Sequence, residues 1–80
     1  MERKEVFERL NEIFSDVFDD EITLSEQTCA DDIEEWDSLE HINLMVVIES
    51  EFRIKFSMKE VNRFKNVGEM VDAILEHSNS

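Results

Sequence analysis

The chain has 80 residues, 41% of them apolar, with one glycine and no proline. That length makes one small domain over residues 1–80, with a core near the smallest that folds alone, so a deep substrate pocket walled on all sides is not expected. A formal net charge of −13 repels nucleic acid and anionic lipid, and it speeds encounter with basic protein surfaces.

Val6, Phe7, Leu10, Ile13, Phe14, Val17 and Phe18 recur at spacings of three and four. This predicts a long first helix with one buried face. Residues 19 to 36 show no helical period, and an unstructured stretch of that length in a small domain is packed and functional. Ile22, Leu24 and Ile33 are its anchors. The only cysteine, Cys29, lies in this stretch. It can form no internal disulfide, and its acidic neighbours disfavour the thiolate, so it reads as a quiet loop residue. The loop carboxylates lack the Asp-x-Asp-x-Asp-Gly spacing of a calcium loop, and no metal site is expected. No segment resembles a secretory signal or a membrane span, which places the chain in the reducing cytoplasm.

The second helix opens within EEWDSLEH, residues 34 to 41. Asp37 and Glu40 have the spacing of a capping box, the aspartate accepting from first-turn N–H groups and the glutamate reaching back, with Ser38 as the first helical residue. The run from Leu44 to Ile48 could by itself be a buried strand. A lone strand would have no partner for its backbone, and the box upstream with Glu49 to Phe52 downstream extends a helix of about four turns. Leu44, Met45, Ile48 and Phe52 share its inner face, while Leu39, Asn43, Val46 and Ser50 lie on another. An apolar stripe edged by Glu40 and Glu49 is therefore left outside, which is the pattern of a protein-binding face.

From Leu10 to Phe52 there is no lysine or arginine. The whole middle of the chain is an anion. A face kept acidic for solubility is the plain alternative, but the complete lack of counter-charges favours a docking surface. Ser57 with Glu60 and Asn66 with Glu69 repeat the box and open a short helix at about 58–64 and a last one at about 67–77. Val67, Met70, Val71, Ile74 and Leu75 give the last helix its buried stripe. The fold class is all-α: a four-helix bundle of three longer helices and one short one, with a long loop between the first two.

The stretch DDIEEWDSLEHINLMVVIESEF resembles the modification site and second helix of the acyl carrier proteins. Their signature is Asp-Ser-Leu followed by an amphipathic helix ending in Glu-x-x-Phe, and the likeness continues through FRIKFS and NVGEMVDAI. The resemblance implies that Ser38, beside Asp37 and Leu39, carries a 4'-phosphopantetheine arm taken from coenzyme A. Asp37 would also help a phosphopantetheinyl transferase hold its magnesium ion. A helix N-terminus suits the phosphodiester without any basic side chain. The partners implied are that transferase and acyl-transferring enzymes with basic patches (an acyl ligase, a ketosynthase or an acyltransferase), which meet a monomer at Glu40, Asn43, Val46, Glu49 and Trp36. Reversing the charge of Glu40 or Glu49 should impair this docking and leave folding nearly untouched. Between reactions the cargo would rest between the second and third helices, against Met45, Ile48, Val61, Phe64 and Ile74.

Trp36 departs from the small residue that many members carry before Asp-Ser-Leu. It could shield the base of the arm, contact a partner, or anchor the long loop on the core, and it suggests a specialised carrier. Within the same fold an aminoacyl or peptidyl carrier is an alternative, and outside it an unmodified acidic interaction module. Ser38 and His41 lie three apart, yet a hydrolase also needs an orienting acid, an oxyanion hole and a pocket. His41 is expected as an exposed polar residue near the arm, and His77 as a last-turn cation that suits the helix dipole. No catalytic residue is assigned.

Overall fold

The first helix forms where the apolar stripe is. In the computed structural model, which describes residues 2–78, α1 spans Arg3–Phe18 and buries Val6, Leu10, Ile13, Phe14 and Phe18. It stops at Asp19, which takes a left-handed conformation (φ 50°, ψ 48°) and returns its N–H to the Ser15 carbonyl; aspartate is one of the few residues with a side chain that tolerates this. Three further α-helices follow among the described residues: α2 (Ser38–Phe52), α3 (Met58–Arg63) and α4 (Val67–Ser78). No strand is present among them, so the ambiguous run on α2 is helical.

The capping boxes form to different extents. The one at Ser57 is complete, with Ser57 Oγ accepting from the Glu60 N–H at 3.2 Å and the Glu60 carboxylate accepting from the Ser57 N–H at 3.0 Å. At Asp37 only half forms. Its Oδ1 accepts from the Glu40 N–H at 2.9 Å, but the Asp37 N–H donates to the Glu35 carbonyl, leaving the Glu40 carboxylate nothing to reach back to. At Asn66 the side chain accepts from the Glu69 N–H at 2.9 Å, and the Glu69 carboxylate reaches one residue further back, to the Lys65 N–H at 3.2 Å.

α1, α2 and α4 share the core. Leu10, Phe14, Leu44, Ile48, Met70, Val71 and Ile74 are all fully buried, each such side chain contributing about 1.5–3 kcal/mol by leaving water. α3 contains no buried residue. Only half-buried Val61, and Phe64 just past its end, pack on the core, so α3 is held by the fewest apolar contacts and opens at the lowest cost.

The long loop is fastened by side chains of α1 and by the start of α4. Ser15 Oγ accepts from the Ile22 N–H at 3.0 Å, and Asn11 Oδ1 from the Leu24 N–H at 2.8 Å. The carbonyls of Thr28 and Glu26 accept from the Val67 and Gly68 N–H groups at 2.8 and 3.0 Å. Leu24 and Trp36 are buried, with Ile22 and Ile33 packed against the core. The stretch is not wholly irregular, because Ala30–Asp32 makes one 3₁₀ turn. Arg3 joins α1, the loop and α4: it pairs with Glu26 and, at 2.6 Å, with Asp72. The paired guanidinium holds the Glu26 carboxyl below its usual range.

Candidate functional site

Ser38 is exposed and is the first residue of α2. Asp37 holds it there: an extended backbone (φ −102°, ψ −175°) sets Asp37 outside the helix while its carboxylate caps the first turn. Glu40 N–H goes to that carboxylate and His41 N–H to the Asp37 carbonyl. Among the described residues no acceptor takes the Ser38 or Leu39 N–H group, both of which belong to the first turn at the positive end of the helix. This is a place where an anionic group attached to Ser38 Oγ is favoured, although the middle of the chain is acidic.

A groove of about 790 Å³ opens beside Ser38 and Asp37, with α2 on one side and α3 and its flanking loops on the other. Of the five expected lining residues, Met45, Val61 and Phe64 contribute to it. Ile48 and Ile74 do not; both are fully buried in the core. Ile42, Phe56 and Met58 line it as well, and sequence reasoning did not single these out. The signal for Ile42 was available, since it lies four residues before Val46 on the same helix face.

That outer face of α2 is apolar: Leu39, Ile42 and Val46 are 74%, 61% and 58% exposed. Asn43 lies exposed among them and Glu40 half-buried at the edge. Glu49 differs from Glu40. Its Oε2 accepts from the Phe56 N–H at 2.7 Å and so fixes the turn between α2 and α3. The expectation that reversing Glu49 would leave folding untouched is therefore corrected, because that carboxylate satisfies a part-buried backbone donor.

Trp36 is only 8% exposed and meets Phe14 edge-on, ring centroids 5.1 Å apart. It anchors the loop on α1, and this burial corrects its placement among partner contacts. Nor is His41 an exposed polar residue. It is half-buried, with Nδ1 accepting from Trp36 Nε1–H at 3.1 Å and Nε2 lying 3.0 Å from the Val61 carbonyl oxygen. With both ring nitrogens engaged in this way, His41 makes no hydrogen bond to Ser38, and a serine–histidine pair is absent among the described residues. His77 bonds the Glu60 carboxylate at 2.9 Å and packs edge-on to Phe56, tying the end of α4 to α3. The Ser57 N–H first, and His77 after it, hold the Glu60 carboxyl below its ordinary range. Cys29 opens the 3₁₀ turn, its thiol 3.5 Å from Asp32 Oδ2.

Among the described residues no cluster of side chains could hold a metal ion, and no helix is long and apolar enough to cross a membrane. Arg53, Lys55, Lys59, Arg63 and Lys65 are all exposed on α3 and its flanking loops. The acidic α2 face thus has a basic neighbour across the groove.

No protein-family model matches the chain. Individual relatives do. An acyl carrier protein of Clostridium perfringens is 37% identical, the match covering 91% of this chain and 97% of the relative. One of Petrotoga mobilis is 35% identical over 99% of this chain and 94% of the relative. Among solved structures, a holo acyl carrier protein from Geobacter metallireducens superposes with a TM-score of 0.83 at 43% identity, over 89% of this chain and 83% of that one. An acyl carrier protein from Thermotoga maritima gives 0.86 at 25% identity, over 99% of this chain and 93% of that one.

Proposed function

We propose a function from one premise: this chain belongs to the acyl carrier protein family. Ser38 is the attachment point of a 4'-phosphopantetheine arm, and the chain carries acyl groups between enzymes without catalysing a reaction itself. The observation that carries this reading is the exposure of Ser38 as the first residue of α2, capped by Asp37 and beside an apolar groove. Its hydroxyl is accessible to a transferase, and two free N–H groups with the helix dipole offset the charge of the phosphodiester. The arm, once attached, supplies a terminal thiol on which a thioester forms.

The chain's own residues then have separate tasks. Asp37 keeps the first turn of α2 intact and presents a carboxylate next to the hydroxyl. Leu39, Ile42 and Val46, edged by Glu40, offer an apolar and acidic face to enzymes with basic docking patches. The groove beside Ser38, with Met45, Val61 and Phe64 in its wall, is where an apolar cargo can leave water.

The test is mass spectrometry after incubation with coenzyme A, magnesium and a broad-specificity phosphopantetheinyl transferase. The wild type gains one phosphopantetheine, and Ser38→Ala gains none. Modification of the Ser38→Ala protein would move the site. Failure of the wild type with several transferases would favour an unmodified acidic interaction module, for which the same α2 face would serve.

A further inference from the structure

Trp36, His41 and Val61 form a bonded series that the carrier chemistry does not use. An indole N–H can only donate, and Trp36 Nε1 lies 3.1 Å from His41 Nδ1. Nδ1 is therefore the acceptor, which leaves the proton of the neutral imidazole on Nε2, 3.0 Å from the Val61 carbonyl oxygen. One tautomer satisfies both bonds. The two rings lie stacked, centroids 5.9 Å apart and planes 24° apart, and Trp36 is backed by Phe14. The helical partner of the Val61 carbonyl would be the Lys65 N–H, but α3 ends at Arg63 and that N–H donates to Glu69. His41 thus takes up a carbonyl orphaned by the end of α3.

We propose that His41 is the positioning residue that latches α3 against α2, and so sets how readily the groove beside Ser38 widens. α3 buries no residue of its own, so its two polar ties, from His41 on α2 to the Val61 carbonyl and from His77 on α4 to the Glu60 carboxylate, count for much of what holds it, and only the first faces the groove. The charged groups nearest to this series along the chain are Glu34, Glu35 and Asp37 before α2, Glu40 on α2, and Glu60 and Arg63 beside Val61 on α3, with His77 of α4 bonded to Glu60. Glu49, Lys55 and Lys65 stand further along the groove. None of them hydrogen-bonds the imidazole.

The consequence for cargo rests on the reading of the groove given above; the latch itself does not. The experiment therefore uses the protein without arm or cargo. Amide exchange is measured in α3 relative to α4 for the wild type, His41→Ala, His41→Gln and Trp36→Phe. Loss of one hydrogen bond should raise α3 exchange in His41→Ala by about three- to tenfold, with α4 unchanged. Glutamine can accept from Trp36 and donate to Val61, so His41→Gln should return α3 to near the wild-type rate. Trp36→Phe keeps an aromatic anchor but removes the donor to Nδ1, and should loosen α3 by less than His41→Ala does, since the bond to the Val61 carbonyl remains. Equal loosening of α3 and α4 in His41→Ala, or failure of glutamine to rescue, would each overturn the latch. Absence of any effect of acyl chain length on melting temperature would count against the groove reading alone.

Discussion

Glu49 and Glu40 lie on the same helix, both beside the apolar face of α2, yet charge reversal should separate them. Glu49 Oε2 accepts from the Phe56 N–H at 2.7 Å. Phe56 is 8% exposed and packs edge-on to Phe64 and His77, at 5.4 and 5.5 Å, so its backbone sets where α3 begins. Glu49→Lys removes the acceptor and leaves a part-buried N–H unpaired. A hydrogen bond to a charged group is worth about 1.5–3 kcal/mol, and partial access of water to the amide favours the lower end, about 1.5–2 kcal/mol. At about 4–8 °C per kcal/mol for a domain of this size, the melting temperature should fall by about 6–16 °C. Glu49→Gln keeps a neutral acceptor and should lose roughly half as much. The Glu40 carboxylate accepts no hydrogen bond among the described residues, so Glu40→Lys should melt within a few degrees of the wild type while slowing acyl transfer to a partner enzyme at low salt. Thermal and urea melts of the three variants, with transfer rates alongside, check the ordering. A Glu49→Lys protein as stable as Glu40→Lys would refute the assignment of the Phe56 N–H to this carboxylate.

Gly68→Ala should destabilise the chain by up to about 2 kcal/mol in urea melts, because a Cβ there would stand 2.9 Å from the Glu26 carbonyl oxygen; overpacking of about 1–3 kcal/mol is offset by the roughly 1 kcal/mol that alanine gains over glycine in a helix, and a more stable variant would refute the close approach. Glu60 should shape the acid limb of stability: its carboxyl is held below the ordinary value of 4.5, so its contribution is present above that value and is lost as the pH falls through the lower folded-state value. Glu60→Gln should flatten this part of the urea-melt profile, and an unchanged acid limb would show that the Ser57 and His77 contacts do not hold the ionised form.

The periodic elements were legible because helix-forming signals are local. Spacings of three and four marked the buried stripes of α1 and α4, and a box at Ser57 marked the start of α3 to the residue. The half-formed box at Asp37 was not legible, since it depends on where the Asp37 N–H goes, and that is decided by the loop turn at Glu35. Glu49 misled for a related reason. On the helix surface it reads as a free charge, and only the return of the chain at Phe56 brings a donor to it.

The site divides in the same way. Ser38, Asp37 and the outer stripe of α2 are given by position on a single helix, so capping and periodicity locate them without any tertiary contact. The wall of the groove is not. Ile48 and Ile74 have the apolar character of lining residues, but the core between α1, α2 and α4 takes them completely, while Met58, at 75% exposure, reaches the groove from the loosest helix. His41 is the extreme case: its indole partner is five residues back, its carbonyl partner twenty residues on, and no periodic pattern joins positions across a helix start and the turn between α2 and α3. What sequence could supply was the inventory, an imidazole being one of few side chains able to accept at one edge and donate at the other. A donor-only indole and an orphaned carbonyl on either side of it then leave a single arrangement, which is why the tautomer follows from the geometry once α3 is in place.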